Sequence, residues 1–235
     1  MKKILYLCIA ACVLSSCQKE DENDVRNPLP TIVAIKTVTV RQDDLVSKYK
    51  FDYDQQRRVT QIVRDAEEDI VMAFSYNGEN QINKMIVTGD GPLVGTYQYN
   101  YDEDGRLNQY IYGDLVNQIV GYNAALDQYS TVAPNRVFSF FESMNFKRVD
   151  SRYFNYDLTM KGPLFNINSS YHLISLLGPA DSNLYYVTMK RPLTFTGTTA
   201  NPQQLDFVNT YSDNDYLMKS VFPGFIIDYS YTKID

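Results

Sequence analysis

The chain has 235 residues, with 22 Lys and Arg against 28 Asp and Glu, one His, three Cys and a net charge of −6. An acidic chain repels phosphate backbones and anionic head groups, which excludes nucleic acid as a partner. Twenty Tyr and twelve Phe with no Trp favour strands and a core of large rings, and the length suits one β-rich domain or two small ones.

Met1-Lys2-Lys3 is a short positive region, and Ile4 to Leu14 is an apolar run too short to span a bilayer as a stable helix. That is the layout of a secretory signal. It ends in Leu14-Ser15-Ser16-Cys17, which resembles the lipobox of bacterial lipoproteins. The resemblance implies cleavage of residues 1–16, diacylglycerol on the Cys17 thiol and a fatty acid such as palmitate on the new amine. Each buried CH₂ contributes about 0.8 kcal/mol, and two or more chains hold firmly, so a membrane is the expected partner of Cys17. Gln18 after the cysteine resembles the outer-membrane sorting pattern of Gram-negative lipoproteins. Gln18-Lys19 followed by Glu20, Asp21 and Glu22 resembles the tag that sends some of them to the cell surface. A periplasm-facing anchor is the alternative.

As plain chemistry, residues 17–30 read as a solvated acidic tether, closed by Pro28-Leu29-Pro30 as a boundary. Cys8 and Cys12 lie in the signal and Cys17 carries lipid, so residues 31–235 contain no thiol. Disulfides, thiolate metal sites and cysteine nucleophiles are thereby excluded from the domain. Loss of Lys2 and Lys3 with the signal takes the net charge from −6 to −8.

The domain opens on a repeat. Phe51-Asp52-Tyr53-Asp54 precedes Arg58-Val59, Phe74-Ser75-Tyr76-Asn77 precedes Gln81-Ile82, and Tyr99-Asn100-Tyr101-Asp102 precedes Arg106-Leu107. A weaker copy recurs at Tyr211-Ser212 with Leu217. Alternation of period two puts both aromatics of a copy on one strand face. Asp or Asn then opens a tight turn, with Gly78 or Gly105 expected to supply φ > 0. Each copy therefore reads as a β-hairpin. Further turn signals at Gln42-Asp43-Asp44, Asp65 to Asp69, Gly89 to Pro92 and Gly113-Asp114 lie between the copies. The turns recur about every 11 or 12 residues, which reads as a meander of about eight strands from Thr31 to Tyr122.

Tyr101-Asp102-x-x-Gly105-Arg106-Leu107 resembles the pattern of YD-type (RHS-like) repeats, which occur in a family of Gram-negative bacterial lipoproteins. Arg57 and Asn80 stand at the glycine position in the first two copies. The resemblance implies extended antiparallel sheet and no activity.

Beyond Tyr122, Asn123 to Val132 is expected to form a short helix. Val137 to Phe141 and Arg148 to Tyr156 read as strands. Ser169 to Leu177 reads as a helix closed by Gly178-Pro179 and packed on the sheet. Leu184 to Lys190, Leu205 to Tyr211, Tyr216 to Phe222 and Phe225 to Tyr231 complete the strands. The expectation is a mostly β domain over 31–235, with α+β possible: a large antiparallel meander covered on one side by a short helix and loops. A subdivision near residue 134 is the alternative.

Candidate chemistry is sparse. Asn100-x-Asp102-x-Asp104-Gly105 copies the opening of an EF-hand loop, but Ile111 stands where a glutamate is required, so the acids are read as a hairpin turn. His172 is the single histidine and zinc sites without thiols want two or three, so it is read as structural. No nucleophile elbow occurs. Two carboxylates would suffice for a glycosidase, with nothing to choose the pair. No cofactor or metal is expected. The remaining candidate is an aromatic strip: Tyr97, Tyr99 and Tyr101 share a face, as do Tyr49, Phe51 and Tyr53, and such rows either hold sugars or peptides or fill the core. Tyr110 and Tyr112 share a face of the return strand. The reading is a lipid-anchored envelope protein whose domain binds a glycan or envelope protein without catalysis. A glycan-degrading hydrolase and a carrier of an apolar ligand in a curved sheet are the alternatives.

Overall fold

Four hairpin turns of the chain are built alike. In the first, Asp54 N donates to Arg58 O at 3.0 Å and Arg57 N to Asp54 O at 3.0 Å, while the Asp54 carboxylate accepts from the backbone of Gln56 and Arg58, both at 2.9 Å. Asn77 does the same for Glu79 and Gln81, Asp102 for Asp104 and Arg106, and Ser212 for Asn214 and Tyr216. A side-chain acceptor that satisfies two turn amides is why Asp, Asn or Ser opens each turn. The residue two before the return strand is left-handed in every copy: Arg57 at φ 63°, Asn80 at 62°, Gly105 at 74° and Asp215 at 59°. Gly78 is not the left-handed residue; Asn80 is. Arg57 therefore sits in a backbone region that costs a side-chain-bearing residue roughly 1–2 kcal/mol. Arg57→Gly is expected to raise stability by about 0.5 to 1 kcal/mol. Gly105→Val should lower it by about 1 kcal/mol or more, since a Cβ there would also stand 3.2 Å from Gln81 Nε2. Urea midpoints of the two variants, moving in opposite directions, are the check.

The copies are also stitched to one another. The second aromatic of each reaches back: Tyr53 Oη donates to Ile35 O at 2.6 Å, Tyr76 Oη to Val59 O at 2.6 Å and Tyr101 Oη to Ile82 O at 2.7 Å. Tyr231 Oη closes on Leu217 O in the same way. The polar residue after each turn reaches forward. The Arg58 guanidinium lies 4.5 Å from the Tyr76 ring centre and donates to Asn80 Oδ1, and Gln81 Nε2 donates to Gly105 O at 2.8 Å.

The computed structural model describes residues 32–65, 70–92, 94–113, 116–132, 135–141, 145–167, 190–196 and 204–234. Over them the chain is all β. β1 (Ile32–Gln42), β2 (Leu45–Tyr53), β3 (Val59–Asp65), β4 (Ile70–Tyr76), β5 (Ile82–Gly89), β6 (Gly95–Tyr101), β7 (Leu107–Tyr112) and β8 (Val116–Ile119) pair in sequence order as an antiparallel meander. β9 (Gly121–Asn123), β10 (Gln128–Val132), β11 (Asn135–Phe140), β12 (Phe146–Val149), β13 (Arg152–Lys161), β14 (Lys190–Thr196) and β15 (Gln204–Asp206) form a second sheet of seven strands. β16 (Val208–Tyr211), β17 (Leu217–Phe222) and β18 (Phe225–Ile234) rejoin the first, which reaches eleven strands as β18 pairs with β1 from Ile32↔Ile234 to Gln42↔Phe225.

Strand neighbours in both sheets are neighbours in the chain, apart from that closing pair. At Val120 and at Phe207 the chain leaves one sheet and enters the other in nearly extended form, and both corner residues are buried. A strongly twisted sheet of more than about ten strands curls or splits into packed layers, and here strands that switch sheets make the corners. One contiguous apolar core draws on both sheets, with Tyr49, Tyr97, Ile62 and Met85 from the first and Phe138, Phe146 and Phe154 from the second. After β13, residues 162–167 turn onto the first sheet, where Leu164 and Ile167 are buried and Asn166 Nδ2 donates to Val33 O at 2.7 Å.

Several expectations change. The cover of the meander, over the described residues, is the second sheet and not a helix. Asn123 to Val132 is a hairpin: the Asn123 side chain caps the turn amides of Ala125 and Leu126, Asp127 is left-handed, and β9 and β10 pair around it. The Ala-Ala-Leu composition favours helix, but four residues between two pairing strands cannot form one, and tertiary pairing wins. Arg148 to Tyr156 is two strands around a turn at Asp150, whose carboxylate holds Val137 N and the Arg136 guanidinium. Ser169 to Leu177, with His172, and all but the last residue of Leu184 to Lys190 lie outside the described residues.

Candidate functional site

Tyr49, Tyr97 and Tyr99 are at most 2% exposed. Tyr53 and Tyr101 are half-buried, with their hydroxyls on backbone carbonyls. Tyr97 stacks on Tyr112 at 4.3 Å and 17°, and Tyr110 lies between Tyr97 and Tyr99 at 6.3 and 5.8 Å. Tyr112 can lie there because Gly95 has no side chain: a Cβ would stand 2.7 Å from Tyr112 Cε2. Burial pushes the Tyr110 phenol up to about 12 and holds that of Tyr99 well above its ordinary range. Their ring faces meet one another and the core, so a contact strip built from these side chains is replaced by a packed ladder. The alternation that puts them on one face does not say which face is covered.

The EF-hand-like acids also have structural employment. Asp102 caps its turn, and Asp104 pairs with Arg106. The turn tips of the second and third copies enclose a polar hollow of about 610 Å³, where Asn77, Glu79, Asn83, Asn100 and Asp102 meet Tyr99 and Tyr101. No group of three or more His, Cys, Asp or Glu suited to a metal occurs among the described residues.

The larger concavity is at a corner. Where β15 parts from β17, a groove of about 740 Å³ opens. Its lining comes from Arg41 and Asp43 at the end of β1, from Gln204, Leu205, Asp206 and Val208 at the sheet switch, and from Val221 to Ile226 around the β17–β18 turn. The register explains its floor. Val46 faces Arg41, Arg41 faces Ile226, Ile226 faces Val221 and Val221 faces Val208. Directly opposed residues of antiparallel strands share a face, so these five form one row across five strands. Val40 and Ile227, next to the row, are buried, which puts the row on the outer face. Val46 is 54% and Val208 67% exposed. The next outward row is Thr210, Lys219, Asp228, Thr39 and Lys48, wholly polar. Arg41 reaches into it and pairs with Asp228.

None of these groove residues stands out as a motif. The available signal is a lapse in alternation: Leu45-Val46 and Phe225-Ile226-Ile227 are apolar in succession where a half-buried strand should alternate.

No family model matches the chain, nor does any curated protein. Two solved structures align loosely over 86% of it and 99% of their own chains: a porin-like protein from Bacteroides uniformis, at TM-score 0.44 and 9% identity, and a porin-like protein from Bacteroides vulgatus, at TM-score 0.42 and 13% identity.

Proposed function

We propose that the chain is a lipoprotein of the cell envelope, held at the outer membrane through Cys17 and facing the cell surface, whose domain is a non-catalytic binding or scaffolding module. One observation carries this reading. The strands are apolar inside and mostly polar outside: Tyr49 and Phe51 are buried between exposed Lys48, Lys50 and Asp52, and Tyr97 and Tyr99 beside exposed Gln98 and Asn100. A barrel that spans a bilayer has the opposite alternation, apolar towards lipid. No helix among the described residues is long and apolar enough to cross a membrane. Attachment therefore falls to the lipobox cysteine, and the groove is the surface the domain offers to a partner.

The carrier alternative draws no support from the described residues, whose buried apolar side chains form one core cluster. The hydrolase alternative has one observation in its favour: Asp43 and Asp206 both line the groove. Protease treatment of intact cells is expected to remove the domain, and a panel of glycoside substrates is expected to show no turnover. Protection until the outer membrane is permeabilised would reassign the facing side. Turnover abolished by Asp43→Asn or Asp206→Asn would replace the binding reading with the enzyme.

A further inference from the structure

Resting on the binding-module reading, we propose that the corner groove takes an extended peptide with alternating apolar and basic side chains, added as a strand along the free edge of β15.

Three independent features converge there. The first is an open edge: among the described residues β15 pairs only with β14, and the ladder of β16 and β17 ends at Val208↔Val221. An unpaired edge presents backbone N–H and C=O groups, which template a further strand. The second is the apolar part of the lining, where Leu205, Val208, Val221 and Ile226 meet. A strand laid along the edge projects every second side chain to one face, so the alternate side chains of a peptide in the groove can be apolar against this lining while the others are basic. The third is charge. Asp43 and Asp206 line the groove, and among the described residues neither has an ion-pair partner; Asp206 accepts only from Gln204 Nε2, at 2.8 Å. Arg41, the groove's cation, is engaged by Asp228. The unmatched charge is thus negative, and complementarity asks for Lys or Arg on the peptide.

The same features weigh against a glycan. Phe222 and Phe225, the groove's two rings, stack on each other at 4.7 Å and 12°, so those faces are turned to one another and not to a sugar. A bilayer of anionic lipid is disfavoured by the same two carboxylates.

The test uses the full chain in mild detergent and a fluorescein-labelled hexapeptide of alternating isoleucine and lysine, read by fluorescence anisotropy. Saturable binding is expected, weakened about tenfold or more by Val208→Glu and by the Asp43→Asn/Asp206→Asn pair. Val208 is 67% exposed, so the thermal midpoint of its variant should match the parent. The glutamate version of the peptide should not saturate. A version N-methylated at alternate residues, which cannot complete a ladder, should bind about tenfold more weakly or worse. Equal binding of the lysine and glutamate peptides, indifference to Val208→Glu, or no saturation by about 1 mM would overturn the proposal. Anchoring and orientation are read separately by fractionation and protease treatment. A chain that is anchored and surface-facing yet ignores the peptide refutes this inference alone.

Discussion

Changing Cys17 to alanine is expected to move the chain from the membrane fraction to the soluble fraction and to abolish its labelling by fatty acid. A multiply acylated cysteine holds at a bilayer in a way that a single chain does not, so removing the attachment point removes the whole contribution at once. The outward strand faces are mostly polar, with Lys48, Lys50, Asp52, Gln98 and Asn100 among their residues, and supply no substitute. Cys17→Ala that still takes up fatty acid refutes the lipobox assignment. Cys17→Ala that loses fatty acid but stays with the membrane would refute the polarity argument instead, because the strands themselves would then have to contact lipid.

Tyr97→Ala is expected to lower stability by about 3–5 kcal/mol, the range for large core rings. Tyr97 is 2% exposed and stacked between Tyr112 and Tyr110, so truncation removes its own burial and leaves both neighbours facing a cavity. Tyr99→Phe should behave in the opposite sense. The Tyr99 hydroxyl is buried without a hydrogen-bond partner among the described residues, and a buried polar group without a partner is a cost that the substitution removes. Its urea midpoint should equal or exceed that of the parent. A Tyr97→Ala midpoint close to the parent would mean that the ring is not part of the core and would restore the aromatic strip as a contact surface.

The turn chemistry and its consequences were present in the sequence by itself. Asp54, Asn77 and Asp102 accept from amides two and four residues ahead, so the hairpins are encoded within a few residues and are visible as a repeat. The eight strands β1 to β8 follow, since alternation and turn spacing are local properties as well. The contacts that widen this meander to eleven strands are not local. β1 meets β18 at the far end of the chain, and which face of the meander is covered, and by what, depends on how a twisted sheet this wide disposes of its apolar side. The same periodicity serves a core ladder and an exposed strip, so the role of Tyr97 and Tyr99 was undecided until the second sheet was in place. The bends at Val120 and Phe207 and the groove beside the latter arise where two sheets compete for one strand. Only the tertiary structure decides that competition, because residues of β1, β15 and β18 meet there with no mark in sequence beyond an apolar residue where a polar one was due.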